Sequence, residues 1–169
     1  MRDKIQHIMK GRLEIDFVDL QGNVIDRFDE RQLILNHAKT CTSKLIGGAP
    51  QNTYAIRDIY LGDDVGTGDL NTPEQPQVTY DINDLNVVHQ MGLPNVFYPT
   101  EESVLFSKTI AGTSIVDSYN TLYALSGETA DINSAALITG GIQPLSYKRF
   151  PVKVITRFIN IEVRWTLEF

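Results

Sequence analysis

The sequence predicts a mainly β fold, a single β-sandwich-like domain with one α-helix packed on it. Short segments with alternating apolar and polar residues recur along the chain, and turn-forming residues separate them at short intervals, as is typical of sandwiches and barrels. Only one segment, about residues 30–46, places its apolar residues at helical spacing. We expect residues 1–11 to form an N-terminal arm and residues 12–169 to form one domain, because no linker rich in Gly, Ser or Pro divides them.

The first predicted element is a β-hairpin over residues 12–28. Apolar and mostly polar residues alternate over residues 13–18, which is the period of a half-buried strand. Gly22 and Asn23 favour a turn, because both accept the positive φ that hairpin turns need. The returning strand is predicted over residues 24–28.

The predicted helix follows at residues 30–46. Asp29-Glu30-Arg31-Gln32 has the pattern of a capping box, and Gly47-Gly48 is typical of a helix end. The apolar residues between them are four, three and four positions apart and share one face: Ile34, Ala38, Cys41 and Leu45. Cys41 is the only cysteine, so it has no disulfide partner within the chain, and we interpret it as a small buried apolar residue.

Beyond the helix, the sequence predicts strands and loops. Strands are favoured over residues 55–61, 77–82, 86–90, 103–110, 121–125, 135–138 and 150–154. Residues 92–100 contain Pro94 and Pro99 and are predicted to form a surface loop or arm.

The C-terminal segment has the clearest pattern in the sequence. Apolar residues occupy every odd position from 159 to 169, and polar residues occupy every even one. Strict alternation buries one face only in a strand, because a helix would distribute these side chains around its axis. The predicted core residues of this strand are Ile161, Val163, Trp165, Leu167 and Phe169.

The charge balance bears on the possible partners. Fifteen Lys and Arg residues stand against 21 Asp and Glu residues, and the net charge is -6. Such a chain lacks the basic surface that binds a phosphate backbone, so we expect no nucleic-acid partner. No apolar run is long enough to cross a membrane, and the first residues contain no apolar stretch of signal-peptide length. We therefore expect no membrane partner and synthesis in a cytoplasm.

An acidic loop at residues 62–73 is the candidate for a structural cation, with Asp63, Asp64 and Asp69 as metal ligands. Its spacing matches neither the EF-hand pattern nor a phosphate-binding loop, so a solvated turn is the simpler interpretation. The three histidines lie far apart, and no catalytic motif is present in the sequence. We expect a protein that is not an enzyme and has no cofactor. Four tyrosines offer an alternative, a sugar-stacking face: Tyr98, Tyr119, Tyr123 and Tyr147.

The order of these segments resembles a widespread type of small β-rich structural protein in the virions of tailed bacteriophages, of the tail or tail-fibre-associated type. The resemblance rests on the hairpin and helix motifs, on the Ile-Arg-Asp-Ile-Tyr-Leu-Gly-Asp strand and on the closing strand with its tryptophan. These motifs occupy residues 13–25, 31–38, 56–63, 132–138, 147–153 and 161–169.

The resemblance implies a virion protein that assembles with copies of itself and with other virion proteins, in the tail, baseplate or neck, in the host cytoplasm. The candidate interface residues lie in the N-terminal arm and in the loop at residues 92–100: Ile5, Ile8, Met9, Pro94, Phe97 and Tyr98. Two alternatives stay open, namely a carbohydrate- or receptor-binding module of a tail fibre and a capsid decoration protein.

Overall fold

Two antiparallel β-sheets packed together make up most of the structure, a computed structural model that describes residues 9–34, 36–64 and 86–169. The strands are β1 (Lys10–Val18), β2 (Val24–Ile34), β3 (Ile56–Asp63), β4 (Asn86–Gln90), β5 (Asn95–Thr100), β6 (Ser103–Ile110), β7 (Thr129–Thr139), β8 (Pro144–Thr156) and β9 (Asn160–Glu168). The helices are α1 (Asn36–Ile46), α2 (Gln51–Tyr54) and α3 (Gly112–Tyr123). The prediction of a mainly β, sandwich-like fold is confirmed.

The two sheets share one strand. The hydrogen-bonded order is β4-β3-β7-β8-β2-β1-β9-β6-β5. β2 pairs with β1 from Val24 to Gln32, and its last two residues, Leu33 and Ile34, pair with β8. We call β2, β1, β9, β6 and β5 the first sheet, and β4, β3, β7, β8 and the end of β2 the second sheet.

The core of the first sheet lies on the odd-numbered face of β1 and β9. Leu13 stands opposite Trp165 and Ile15 opposite Val163, and all four side chains are fully buried. β1 and β9 are adjacent and antiparallel, so the apolar side chains of one strand lie beside those of the other across the ladder. Burial of each such side chain contributes about 1.5 to 3 kcal/mol.

The terminal strand departs from the prediction at its last residue. Ile161, Val163, Trp165 and Leu167 are buried, but Phe169 is 48% exposed. β9 ends at Glu168, where the ladder to β1 and β6 also ends, and no further residue of those strands is available to cover the ring. The assignment of Phe169 to the core is therefore wrong.

The helix at residues 30–46 is shorter than predicted and has a different start. β2 continues to Ile34, and α1 occupies only Asn36–Ile46. The residues taken for a capping box lie in β2, where Asp29 binds the Arg12 side chain of the neighbouring strand. Pairing with β1 has overridden the local cap signal. Ala38 and Cys41 are buried as expected, whereas Leu45 is 36% exposed near the end of the helix.

The end of α3 lies where the sequence predicts a strand. Residues 121–125 were predicted to be extended, but α3 runs to Tyr123 and Ala124 closes it in the left-handed conformation, with φ of 53°. Ile115 and Val116 bury one face of α3. At Gly112, a Cβ atom would lie 2.2 Å from the carbonyl oxygens of Thr156 and Ile159, so only glycine lets the helix start so close to the end of β8.

Five further strand predictions are confirmed: residues 86–90 lie in β4, 103–110 in β6, 55–61 in β3, 135–138 in β7 and 150–154 in β8. Ala55 is the exception, since it precedes β3. The predicted strand at 77–82 lies outside the described residues. Residues 10–11 belong to β1 and not to an arm. None of the helices described is long and apolar enough to cross a membrane.

Candidate assembly surface

β5 forms one edge of the first sheet. It pairs with β6 through Asn95 opposite Ser107 and Phe97 opposite Leu105, and the described residues contain no strand on its other side. All six of its residues are exposed. Residues 92–100 were predicted to be a loop, because Pro94 and Pro99 were weighed as loop signals, yet prolines are tolerated in an edge strand.

Apolar side chains dominate this edge. Val96, Phe97 and Tyr98 are 43%, 52% and 79% exposed. Val96 and Phe97 stand opposite Phe106 and Leu105 of β6 and point to opposite faces, and the pairing becomes irregular between Phe97 and Thr100. No charged residue occurs between Gly92 and Thr100, whereas Pro99 and the irregular pairing between Phe97 and Thr100 are features that hinder the addition of a further strand at an exposed edge. We call residues 93–100 the β5 edge.

Charges flank the β5 edge at its two ends. Glu101 and Glu102 are exposed at the turn that follows the strand. At the other end, Lys108 Nζ donates a hydrogen bond to the Leu93 carbonyl oxygen at 3.1 Å. The residues after Thr100 therefore form an acidic end, whereas the beginning of the edge has Lys108 together with the Asp58 carboxylate that binds the Gly92 amide.

The turn at the acidic end is ordered by its own hydrogen bonds. The hydroxyl oxygens of Thr100 and Ser103 lie 2.8 Å apart, and the Glu102 amide donates to Thr100 Oγ1 at 3.2 Å. The Glu102 carbonyl accepts the Phe169 amide at 2.9 Å. These contacts attach the β5–β6 turn to the end of β9 and hold the acidic end in place.

The structure separates the predicted interface residues. Phe97 and Tyr98 are exposed on the β5 edge, but Pro94 is buried, and its assignment to an interface is wrong. Met9 is partly buried against the core, so it packs within its own chain. Ile5 and Ile8 lie outside the described residues.

The outer face of the first sheet contrasts with the β5 edge, because its charges are paired. Asp16 is 3% exposed and lies between two arginines on neighbouring strands. Arg27 Nε donates to Asp16 Oδ1 at 2.5 Å, and Arg164 Nη2 donates to Asp16 Oδ2 at 2.8 Å. The hydrogen bond from Arg27, against the opposing effect of burial, holds the pKa of Asp16 below its ordinary value. The ion pairs of Asp16 on this face thus link β1 to both β2 and β9.

The acidic loop is not a cation site in its described part. The carboxylate of Asp64 is buried, accepts a hydrogen bond from the Tyr147 hydroxyl and pairs with Arg149 Nη2 at 2.9 Å. Asp63 lies on β3, where its carboxylate accepts a hydrogen bond from the Tyr123 hydroxyl at 3.3 Å. Asp69 lies outside the described residues. Within the described ranges, no group of three potential metal-ligating side chains converges, and the buried Asp64 carboxylate is paired with Arg149.

The four tyrosines do not share a face. Tyr147 is fully buried, and burial raises its pKa. Tyr119 and Tyr123 contact each other on α3 with ring centroids 4.7 Å apart, and Tyr98 lies on the β5 edge. The predicted sugar-stacking face of four rings is therefore not formed.

One polar contact could not be read from the sequence. His89 Nδ1 and Ser118 Oγ lie 2.7 Å apart and join β4 to α3, although they are 29 residues apart in the chain. Burial lowers the pKa of His89, which favours the neutral ring. The nearby Asp58 carboxylate accepts the Gly92 amide at 2.7 Å, and the group as a whole connects α3, β4 and the beginning of the β5 edge.

Comparison of the chain with protein-family models, with curated proteins and with solved structures found no match.

Proposed function

We propose that this chain is a non-enzymatic structural subunit of a tailed-phage virion, which assembles with copies of itself and with neighbouring virion proteins in the tail, baseplate or neck. The observation that carries the proposal is the β5 edge, a fully exposed edge strand with three large apolar side chains and no charge. The resemblance of the ordered sequence motifs to small phage structural proteins supplies the virion setting.

An edge strand of this kind is a liability for a protein that remains alone. Its backbone offers unpaired N–H and C=O groups to any other strand, and its apolar side chains add to the attraction. In a subunit of an assembly, the same backbone groups and apolar side chains form a specific contact with a neighbouring subunit. The net charge of -6 keeps free subunits apart and soluble before they assemble.

The charge network around Asp16 supports the same function in another way. Its arginines come from β2 and β9, the two strands that flank β1. Side-chain contacts therefore join β2, β1 and β9 on the outer face of the first sheet. A sheet held together on both faces gives the edge strand a fixed position from which to bind a neighbour.

The carbohydrate-binding alternative has less support. Of its four tyrosines, Tyr147 is in the core, and Tyr123 directs its hydroxyl to Asp63. Tyr98 remains fully available on the β5 edge, where it serves the assembly proposal equally well. A glycan array with the wild-type chain and Tyr98→Ala separates the two functions, because glycan binding that is lost in the variant would favour the alternative.

The virion setting is tested on purified particles. Phage particles from a lysate are banded in a density gradient, washed at high salt and analysed by mass spectrometry of tryptic peptides. We expect peptides of this chain to co-purify with the particles at a constant ratio to the other structural proteins. Peptides confined to the soluble fraction would refute the proposal.

A further inference from the structure

α3 lies against β4, the strand at one edge of the second sheet. Ile115 and Val116 of the helix are fully buried, and they share the hydrophobic core with Val88 of β4 and with Met91, which follows β4 directly. The first residue of the helix fits closely against the β8–β9 connection, and its last side chain binds the end of β3. The middle of α3 therefore packs on β4 between two fixed ends.

His89 and Ser118 join the two elements at this contact. His89 Nδ1 lies 2.7 Å from Ser118 Oγ, and both residues are partly buried. Leu61 stands opposite His89 on β3 and is fully buried, and Val88, the residue before His89, is also buried. The imidazole therefore lies in mainly apolar surroundings, with a hydroxyl group as its hydrogen-bond partner.

Asp58 on β3 is the charged group that acts on His89 from the neighbouring strand. Its carboxylate is engaged elsewhere, because Oδ1 accepts the Gly92 amide at 2.7 Å and the charge of Lys108 on β6 acts on it as well. Tyr60 on the same strand has its pKa raised, first by burial, and stays neutral at neutral pH. Asp58 therefore stabilises a proton on His89 only at a distance.

The other elements around His89 bring no unpaired carboxylate to the ring in the part of the chain that the structure describes. β4 has no other ionisable side chain between Asn86 and Gln90. The acidic residue of α3 is Asp117, whose Oδ1 is paired with Arg157 Nη1 at 2.7 Å. A proton on His89 would thus have no group of opposite charge in contact with it.

We propose that the contact between α3 and β4 is a pH-sensitive joint, closed when the His89 ring is neutral and loosened when it takes up a proton at mildly acidic pH. The Ser118 hydroxyl can donate or accept, so the hydrogen bond itself survives protonation. The positive charge is what destabilises the closed joint, because apolar surroundings solvate it poorly. Movement of α3 away from β4 lets water reach the ring. The joint does not involve the β5 edge, so it is independent of the virion proposal.

The direction of the effect follows from the two states of the ring. Burial lowers the pKa of His89 in the folded chain, whereas a solvated ring has its ordinary pKa of about 6.5. The closed joint is therefore fully stable above about pH 6.5 and loses stability as the pH falls from there through the folded-state pKa. A solvated ring is about nine-tenths protonated at pH 5.5, so opening can become up to about tenfold more favourable than at pH 7.5.

Amide hydrogen exchange, followed by mass spectrometry at pH 7.5 and pH 5.5, measures the opening of the joint. After correction for the intrinsic exchange rates, we expect the peptides of α3 and β4 to exchange up to about tenfold faster at pH 5.5. The peptides of β1 and β9 are the internal reference and should not change. An NMR titration of the His89 ring should give a midpoint below the ordinary value of about 6.5.

Three variants assign the effect to His89. His89→Gln keeps a polar side chain that does not titrate, and it should remove the pH dependence of exchange in α3. His37→Gln is the matched control, because His37 is also partly buried and has its pKa lowered by burial, but it lies on α1. Ser118→Ala removes the hydrogen bond and leaves the titration, so α3 should exchange faster at both pH values with the ratio between them preserved.

Three results would overturn the joint. They are an exchange rate of α3 that is the same at both pH values, a pH dependence that His89→Gln retains, and an NMR midpoint of His89 at or above the ordinary value. The NMR and exchange measurements on the wild-type chain decide the matter even where a variant does not fold. The presence of the chain in purified particles is measured separately and decides the virion proposal on its own.

Discussion

Arg164 on β9 binds Asp16 on β1 with its Nη2 atom 2.8 Å from Oδ2, across 148 residues of chain. The same carboxylate binds Arg27 on β2 through a second oxygen. One buried carboxylate therefore joins three neighbouring strands, and its removal should weaken the pairing of β1 with both β2 and β9.

Asp16→Asn should destabilise the fold by about 1 to 3 kcal/mol, because two guanidinium groups lose their charged acceptor in a poorly solvated place. Unfolding in urea, followed by tryptophan fluorescence, measures the change. Asp29→Asn is the matched control, because it breaks the more exposed pair with Arg12 and should cost clearly less. Equal losses in the two variants would contradict the special role of Asp16.

Acid should weaken the fold through the same group. The pKa of Asp16 is lowered in the folded chain, first by the hydrogen bond from Arg27. Its contribution is therefore fully present above the ordinary carboxyl pKa of about 3.9 and is lost as the pH falls from there through the folded-state value. Urea unfolding between pH 7 and pH 2.5 should show this decline, and Asp16→Asn should show a shallower one. Asp26 and Asp29, whose pKa values are also lowered, account for part of the remaining slope.

Trp165→Ala should cost about 3 to 5 kcal/mol, because the side chain is fully buried between the sheets and its removal leaves a large cavity. Thermal and urea unfolding measure the loss. Phe169→Ala removes another aromatic ring of the same segment, but one that is half exposed, and it should cost less than about 1 kcal/mol. A small effect at Trp165 would mean that the buried face of β9 is assigned incorrectly.

Gly112→Ala should destabilise the chain by about 2 kcal/mol or more, because the new methyl group would overlap two carbonyl oxygens of the β8–β9 connection and displace the start of α3. Gly127→Ala is the control, since its added methyl would have no neighbour closer than 3.7 Å. The two variants are compared by urea unfolding and by circular dichroism. Similar stabilities would show that α3 can move away from the connection without cost.

The sequence predicts correctly those strands in which the alternation of apolar and polar residues matches the face that the folded sheet buries. In β9, alternation alone identifies Val163 and Trp165 as buried, because the strand has one face towards the core. In β2, the local sequence favours the start of a helix, whereas pairing with β1 places the same residues in a strand. Asp29 has the chemistry of a helix cap, yet its carboxylate serves Arg12 on the neighbouring strand, a contact that only the folded ladder creates.

The candidate site was predicted in part for a similar reason. The sequence points to Phe97 and Tyr98 because they lie in a proline-containing segment predicted to be a surface loop, and the same prolines lead to the wrong prediction of a loop where β5 is a strand. The role of Lys108 could not be predicted, because its contact with Leu93 depends on the register between β5 and β6. The absence of charge from the edge was visible in the sequence, and its meaning required the sheet order.

The pairing of β1 with β9 has a consequence for the synthesis of the protein. β2 reaches β1 almost as soon as both have been made, whereas Arg164 follows Asp16 by 148 residues. At elongation rates of about 5 to 20 residues per second, this interval is roughly 7 to 30 s. During this interval β9 has not yet been made, so one edge of β1 is unpaired. Leu13 and Ile15 then have no contact with Trp165 and Val163. The nascent chain is thus most prone to aggregation in its first hairpin, and chaperones that bind exposed strands on the ribosome should engage it there.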